Sequence, residues 1–367
     1  MSLQCDTFFE KGDKNMSRIP ISVCIIAKNE AVHIEECLKR LRQYDLEIVV
    51  ADTGSTDCTR EIATQYADKV VDFSWCDDFS AARNFCAKHA SNSYILALDC
   101  DEYIEKCNTT GLMRQVRANQ GIVGTINIQS IVSRPDGQYS RMKDNVPRFY
   151  DKRYYAFKGA VHEQIMSRKG KGGVPAYYFG LPIEVTHYGY ALSPEQMRVK
   201  QERNLHLLHH ALEIEGESAY LYFQLGQSEL VLNNSGAAVQ YYEKGLDLVD
   251  NCQPLYVHNM VEGLAKAYVM EGRAEDALAL MERYEPLCDS ARFVFYHANV
   301  LMDNHEPLKA LIKYVKATMM PDTDMLGSAL LYCYQHIIEL YHLFGEDDLA
   351  DVFCKKYEEC QKNLYTE

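Results

Sequence analysis

The sequence predicts an α/β domain with a doubly wound, mainly parallel sheet, followed by an all-α domain built from helical repeats. Three observations predict this organisation. Up to Glu102, short apolar runs alternate with amphipathic helical patterns. Each apolar run ends in polar residues, as strands do at the ligand-binding edge of an open α/β sheet. From about Pro194 the chain becomes helical and repeats with a period of roughly 34 residues.

The composition limits the possible classes of protein. The chain has 367 residues, enough for two domains, and a formal net charge of −14. Such an acidic chain is poorly suited to sequence-independent binding of nucleic acid or of anionic membranes. Its thirteen cysteines are scattered and form no C-x-x-C pair, which indicates reduced thiols rather than a disulfide scaffold or a zinc site. We find no signal peptide or transmembrane segment and expect a soluble, cytoplasmic protein.

The elements of the first domain follow one another in regular alternation. We divide the chain into a disordered N-terminus (residues 1–17), an α/β domain (18–192) and a helical repeat domain (193–367). Strands are predicted at Ile21–Ala27, Leu46–Ala51, Lys69–Phe73 and Tyr94–Leu98, and the helices between them carry Ile34 to Leu41, Ile62 to Tyr66, and Arg83 with Asn84.

After Glu102 the pattern changes to short strands, which predicts a mixed β region. Pro135-Asp136-Gly137 is a hairpin turn signal. The glycine-rich segment from Lys169 to Gly173 is expected to be a mobile loop. Strands are predicted at Gly124–Ser133, Tyr139–Lys143, Val146–Tyr150, Tyr154–Phe157 and Ile183–His187.

The helical half repeats small and aromatic residues in register. Small residues suit the crossing of two helices, and aromatic residues one turn later fill the space beside it. We therefore predict a tetratricopeptide-like array. The corresponding positions are Leu225-Gly226, Ala238 and Tyr242, then Leu264-Ala265, Ala277 and Met281, then Ala298, Ala310 and Tyr314, and finally Gly345, Ala350 and Cys354.

Asp99-Cys100-Asp101-Glu102 ends the Tyr94 strand in three acidic side chains. In an extended segment, Asp99 and Asp101 would point to the same side. Two converging carboxylates would repel each other unless a cation lay between them, and such hard oxygen ligands suit Mg²⁺ or Mn²⁺. The alternative is a solvated acidic turn. A calcium loop of the EF-hand type is excluded, because the third acidic position and the turn glycine are missing.

Two other motifs suggest different chemistry and are rejected, and the motifs of two further enzyme classes are absent. Asp52-Thr53-Gly54 matches an aspartic-protease fingerprint, but that chemistry needs two such carboxylates on an all-β fold. His162-Glu163 begins like a zinc-protease helix, but Met166 occupies the position of the second histidine. No G-x-G-x-x-G or Walker loop is present, which argues against a dinucleotide oxidoreductase or a P-loop ATPase.

Four motifs in fixed order make the first half resemble the family 2 glycosyltransferases of GT-A fold. They are Ala27-Lys28-Asn29-Glu30, Asp52-Thr53-Gly54-Ser55-Thr56-Asp57, Ala82-Arg83-Asn84 and Asp99-Cys100-Asp101-Glu102. More narrowly, the segment Trp75 to Ser80, Val161-His162-Glu163 and Thr186 to Tyr190, placed before helical repeats, resemble the bacterial subgroup joined to tetratricopeptide-like domains. Cys58 departs from the glycine that many relatives have in the turn.

The resemblance implies a role for each motif. It implies a metal-dependent, inverting hexosyltransferase-like enzyme that uses a nucleoside-diphosphate sugar, most simply a UDP-sugar, with Mn²⁺ or Mg²⁺. Glu30 and Asp52 would contact the ribose and base, Arg83 the diphosphate, and Asp101 the metal, with Asp99 assisting at the metal or ribose. His187 is a candidate later metal ligand, and a packed histidine is the alternative. The implied nucleotide-sugar site comprises Ala27, Asn29, Glu30, Asp52, Arg83, Asn84 and Asp99.

Inverting transfer also needs a base that deprotonates the acceptor. We assign Glu163, because its motif follows the β region expected to face the acceptor, with Glu102 as the second candidate. Arg148 could reach phosphate or act structurally. The acceptor would be a protein, peptide or saccharide, recognised by the helical domain, through which a homodimer could also form. The rival hypothesis is a catalytically inactive nucleotide-binding scaffold whose repeats bind a protein partner.

Overall fold

The computed structural model describes residues 18–133, 139–169, 175, 177–189, 193–249 and 255–365. The expected disordered N-terminus, the Pro135-Asp136-Gly137 turn and most of the Lys169–Gly173 loop lie outside these ranges. The chain divides into two compact units, Met1–Leu192 and Ser193–Glu367, which we describe separately.

The first unit is built on an eight-stranded sheet in the order β3-β2-β1-β4-β7-β6-β10-β5. The neighbours β3, β2, β1 and β4 are parallel, whereas β7 runs antiparallel to both β4 and β6. The strands are β1 (Ile21–Ala27), β2 (Glu47–Asp52), β3 (Lys69–Asp72), β4 (Tyr94–Leu98), β5 (Glu102–Cys107), β6 (Val123–Ser133), β7 (Tyr139–Asp151), β8 (Tyr155–Lys158), β9 (Gln164–Ser167) and β10 (Tyr178–His187), with β8 and β9 forming a separate hairpin.

Helices cover both faces of the parallel strands, as the doubly wound pattern predicts. Alternate residues of β1 enter different cores: Val23 packs with Ile34 and Leu38 of α1 on one face, and Cys24 packs with Cys86 of α3 on the other. The helices found in the described part of this unit are α1 (Ile34–Leu41), α2 (Thr59–Tyr66), α3 (Phe79–His89) and α4 (Thr109–Ala118).

The structure differs from the sequence prediction after Glu102. The two strands predicted at Tyr139–Lys143 and Val146–Tyr150 form one continuous strand, β7. The predictions lacked β5, β9 and α4 altogether. β5 shows no alternation of period two, because its first three residues are all buried and the next two, Glu105 and Lys106, are exposed. A signal for α4 was present: the Asn108 side chain caps its first turn by accepting from the Gly111 N–H, and Leu112 and Val116 are buried.

Among its described residues, the second unit contains α5 followed by four pairs of helices that pack against each other. Most small and aromatic repeat positions predicted from the sequence are buried, including Ala238, Ala277 and Ala310. The last repeat was misaligned, because Gly345 lies in the turn between α12 and α13 with φ of 74°. The helices are α5 (Pro194–Glu215), α6 (Ala219–Val231), α7 (Ser235–Asp247), α8 (Leu255–Met270), α9 (Ala274–Tyr284), α10 (Ala291–Asp303), α11 (Pro307–Met319), α12 (Ala329–Leu343) and α13 (Asp347–Tyr365), with a short 3₁₀ turn at Thr323–Leu326.

Tyr242 packs against two glycines of this unit, Gly226 and Gly263, and this contact predicts a stability effect. A Cβ on Gly226 would lie 2.5 Å from the buried Tyr242 ring. Overpacking costs about 1–3 kcal/mol, and replacing a helical glycine by alanine gains up to about 1 kcal/mol. We therefore expect Gly226→Ala to lower the free energy of unfolding by about 1–2 kcal/mol in urea titrations followed by circular dichroism.

Gly236→Ala is the matched control, because its Cβ would approach only the Glu271 carboxylate, at 3.7 Å. It should be neutral or slightly stabilising. Equal stability of both variants would contradict the packing argument.

Candidate active site

The loops that follow β1 and β2 are tied together by side-chain hydrogen bonds. Asn29 has φ of 56°, and its side-chain oxygen accepts from the Thr56 N–H at 2.7 Å. In return, Ser55 Oγ accepts from the Asn29 N–H at 3.0 Å, and Thr59 Oγ1 accepts from the Glu30 N–H at 2.7 Å. The left-handed backbone of Asn29 turns its main chain towards the second loop, and its amide holds that loop.

The neighbouring strand ends bring Ala27 and Asp52 side by side. The two residues are paired in the parallel register of β1 and β2, and the Ala27 carbonyl accepts from the Thr53 N–H at 2.9 Å. The buried Asp52 carboxylate accepts from the Ser55 N–H at 3.2 Å. Ala27, Asn29, Glu30 and Asp52 thus lie together at the carboxyl ends of β1 and β2, where their motifs place them.

Asp99 and Asp101 do not share one side of an extended strand. Residues 99–102 form a turn, closed by the Glu102 N–H donating to the Asp99 carbonyl at 3.1 Å. The expectation that they converge by alternation is therefore wrong, because alternation applies only to extended backbone. Asp99 points towards two arginines, whereas Asp101 points towards His187.

Asp99 belongs to a buried chain of alternating charges. Arg83 donates from Nη2 to Asp99 Oδ1 at 2.7 Å and from Nε to Glu163 Oε1 at 2.5 Å. Arg148 donates to Asp99 Oδ2 at 2.9 Å and also contacts Glu102. Burial alone would raise the Asp99 pKa, but the two guanidinium groups hold it well below its usual range.

Glu102 lies at the inner end of this chain of charges. Its side chain is 1% exposed, and its second oxygen accepts from the Asp99 N–H at 3.0 Å. Burial raises the pKa of Glu102, although the Arg148 guanidinium acts in the opposite direction. Both carboxylate oxygens are engaged by the protein, so Glu102 holds Arg148 and the Asp99 backbone in place.

Removal of Arg148 should therefore destabilise the first unit. Arg148→Met would leave the Glu102 carboxylate buried without its cation, which costs about 3–5 kcal/mol. Adding Glu102→Gln should recover part of the loss, because the second substitution removes the uncompensated charge. Chemical denaturation of both variants measures this coupling.

Arg198→Met is the control for this prediction. Its exposed i,i+4 pair with Glu202 should contribute less than about 1 kcal/mol to the free energy of unfolding. If the losses in the free energy of unfolding caused by the Arg148 and Glu102 substitutions added fully in the double variant, the pairing of these residues would be contradicted.

Asp101 and His187 form a second, separate pair. His187 Nε2 lies 3.4 Å from Asp101 Oδ2, and the Tyr188 N–H donates to the Asp101 carbonyl at 3.1 Å. The other ring nitrogen of His187 lies 3.5 Å from Ser130 Oγ. Burial would lower the His187 pKa, but the Asp101 carboxylate outweighs it, so the pKa is raised.

The pairing of β5 with β10 creates this contact, because it sets Glu102 opposite His187. Within the described ranges, no group of three or more His, Cys, Asp or Glu side chains is arranged to hold a metal ion. The protein side of a metal site here would therefore consist of two donors, one oxygen and one nitrogen.

Glu163 lies in a loop with a constrained backbone, beside the helix α3 that carries Asn84. His162 has φ of 52°, and the Ala160 carbonyl accepts from the Phe79 N–H at 2.8 Å. The Asn84 amide donates to the Phe157 carbonyl at 2.8 Å and accepts from the Phe157 N–H at 3.0 Å. Both ends of the Asn84 side chain thus anchor the segment that presents Glu163, and this structural contact was not part of the sequence prediction.

The fold and site define a class of protein: an α/β domain with polar loops and a carboxylate–histidine pair at the carboxyl ends of its strands, joined to tetratricopeptide-like helices. None of the helices in the described ranges is both long and apolar enough to cross a membrane. Residues 22–171 match the family model described as "Glycosyl transferase family 2", so the N-terminal domain is similar to that family.

Comparisons with known proteins match parts of this chain. The chain is 28% identical over 244 residues to the SPbeta prophage-derived glycosyltransferase SunS of Bacillus subtilis (strain 168), covering 65% of this chain and 55% of SunS. It is 28% identical over 268 residues to a TPR repeat-containing protein of Synechococcus elongatus, covering 72% of this chain and 65% of that protein. The solved structure of S. aureus TarS aligns with a TM-score of 0.39 and 15% identity, over 70% of this chain and 53% of TarS. The chain thus spans about half to two thirds of the length of these relatives.

Proposed function

We propose that this chain transfers a sugar from a nucleoside-diphosphate sugar, most simply a UDP-sugar, to an acceptor with inversion at the sugar carbon. The observation that carries this proposal is the meeting of Asp101 and His187 at the strand ends of a family 2 domain. Beside it lie the linked loops that hold Asn29 and Asp52, which offer amide and carboxylate groups to a ribose and a base.

Asp101 and His187 would hold Mn²⁺ or Mg²⁺ together with the donor diphosphate. A carboxylate oxygen and an imidazole nitrogen are both suitable ligands for Mn²⁺, and 3.4 Å separates them in this structure. Two protein donors do not fill the coordination sphere of such a cation, so phosphate oxygens of the nucleotide sugar would be needed as further ligands. A cation there supplies positive charge to the leaving nucleoside diphosphate.

Arg83 and Asp99 support the site by positioning other residues. The Arg83 side chain is only 7% exposed, and two of its three nitrogens donate to carboxylates. Its guanidinium group therefore cannot bind a diphosphate through all three nitrogens. Its buried Nη1 has no hydrogen-bond partner within the described residues. We assign Arg83 the role of orienting Asp99 and Glu163, with Nη1 as the atom available to the donor.

Glu163 serves as the acceptor base. It is 12% exposed, whereas Glu102 is 1% exposed and both of its oxygens are occupied. A base must reach the acceptor proton within hydrogen-bond distance, a requirement that Glu163 meets more easily than Glu102.

The helical unit would recognise the acceptor, which would be a protein, a peptide or a saccharide. Free thiols throughout the described residues support a reducing, cytoplasmic compartment.

The rival hypothesis is a catalytically inactive scaffold. Loss of Asp101 or Arg83 would mark such a protein, and both residues are present with partners in the site. This observation favours the enzyme.

Thermal stability with UDP, with Mn²⁺ and with both tests the proposal. A site completed by the diphosphate should respond to the pair more strongly than to the sum of the single additions, because binding to the folded state raises stability by RT ln(1+[L]/Kd). The same measurement with GDP or dTDP in place of UDP identifies which nucleotide base the site prefers. Slow hydrolysis of a panel of nucleotide sugars then identifies the sugar. No response to any metal–nucleotide pair, together with no hydrolysis, would favour the scaffold.

A further inference from the structure

Gly189 lies directly against the Asp101–His187 pair. A Cβ on this residue would lie 2.1 Å from Asp101 Oδ2 and 2.6 Å from His187 Nε2. Real Cβ atoms essentially never approach other heavy atoms this closely. Gly189 follows β10 by two residues, and the Tyr188 N–H donates to the Asp101 carbonyl, so the backbone is held close to Asp101 at this point.

The atoms that exclude a side chain at position 189 are the functional ends of two side chains. No backbone atom is among the three nearest neighbours, which are two atoms of Asp101 and one of His187. Such ends can rotate away at little cost to the fold. A methyl group there would therefore displace the two donor atoms rather than the surrounding strands. The opposite holds for Gly226, where the obstacle is the fully buried Tyr242 ring.

We propose that Gly189 is a positioning residue. Because it has no side chain, the backbone that follows β10 can lie directly against Asp101 and His187, and the two metal-ligating side chains stay together. This inference rests on the proposed function, in which the pair holds the divalent cation. It assigns to the Tyr188-Gly189 segment a role in the metal-dependent binding of the nucleotide sugar, without contact between this segment and the nucleotide sugar.

The experiment compares Gly189→Ala with Gly180→Ala. Gly180 lies on the same strand, is exposed, and has open space around an added Cβ, so its variant should behave as wild type. Calorimetric titration of Mn²⁺ in the presence of UDP measures the metal affinity. We expect Gly189→Ala to lose roughly 10- to 100-fold in this affinity, as when a ligand's supporting contacts are removed. Its affinity for UDP without metal should be unchanged. Equal Mn²⁺ affinity in the two variants would overturn the inference.

A second measurement separates failure of this inference from failure of the proposed function. The crystal structure of ligand-free Gly189→Ala should show Asp101 Oδ2 and His187 Nε2 displaced from their 3.4 Å contact. An unchanged contact beside the new methyl group would overturn the inference, whatever metal the wild type binds. A wild-type protein without metal-linked binding would instead count against the proposed function, and this structure would still decide the role of Gly189.

If Gly189→Ala does not fold, the triple variant Asp101→Ala/His187→Ala/Gly189→Ala tests instead whether Asp101 and His187 are the residues that exclude a side chain at position 189. Both obstacles are absent from it, so it should fold as stably as Asp101→Ala/His187→Ala, as measured by thermal unfolding. Failure of the triple variant to fold beside a folded double variant would show that other atoms exclude the side chain, and would overturn the inference.

Discussion

Asp101→Ala is expected to lower the metal-dependent kcat/KM by about a hundred- to thousand-fold, the range found when a principal electrostatic stabiliser of a transition state is removed. The physical reason is the loss of the carboxylate donor that faces His187. The fold should persist, because Asp101 is partly exposed and takes no part in the buried contacts of Arg83 and Arg148. Donor hydrolysis over a range of Mn²⁺ concentrations measures the loss.

Asp72→Ala provides the control for this substitution. Asp72 ends β3 at the same edge of the sheet, is 70% exposed and pairs with Arg60 on the surface. We expect wild-type kinetics and a change in stability of less than about 1 kcal/mol. A metal response retained in Asp101→Ala would remove Asp101 from the metal site. Loss of activity in both variants would indicate a general effect of charge along this edge.

Glu163→Gln is expected to reduce transfer to a hydroxyl acceptor by about 10²–10⁴-fold, the usual contribution of general-base catalysis. The amide keeps the size of the side chain and can still accept from Arg83 Nε, so the positioning contact survives while proton acceptance is lost. The loss should therefore fall on kcat, with little change in donor affinity. Rapid-quench measurement of single-turnover transfer, with a separate donor titration, distinguishes the two quantities.

Glu102→Gln separates the two candidate bases. The Glu102 carboxylate contacts Arg148 and the Asp99 N–H, so its substitution should alter stability and donor binding together with the rate. Normal turnover by Glu163→Gln beside an inactive Glu102→Gln that binds donor normally would reverse our assignment. A thiol acceptor, already partly ionised near neutral pH, should depend less on Glu163. The size of the loss therefore reports on the chemistry of the acceptor.

The sequence by itself determined the class of both units and the position of most motifs. Strands such as β1 and β4 are continuous apolar runs because the sheet buries both of their faces, and this pattern is visible without a structure. Polar residues directly after such strands must lie at one edge of the sheet, so Asn29, Asp52 and Asp101 could be placed together in advance. Helical repeats were predicted for a similar reason, since small residues recur wherever two helices cross.

Only the tertiary structure decided which side chains meet. Asp99 and Asp101 diverge because a turn follows β4, and local sequence alone did not show whether the acidic segment was extended or turned. Arg83 contacts Glu163, eighty positions away in the chain, because the segment anchored by Asn84 passes beside α3. Gly189 reaches Asp101 because β10 pairs with β5. A residue's environment within an element follows from periodicity, whereas its distant partners depend on how the strands are ordered in the sheet, which local patterns do not encode.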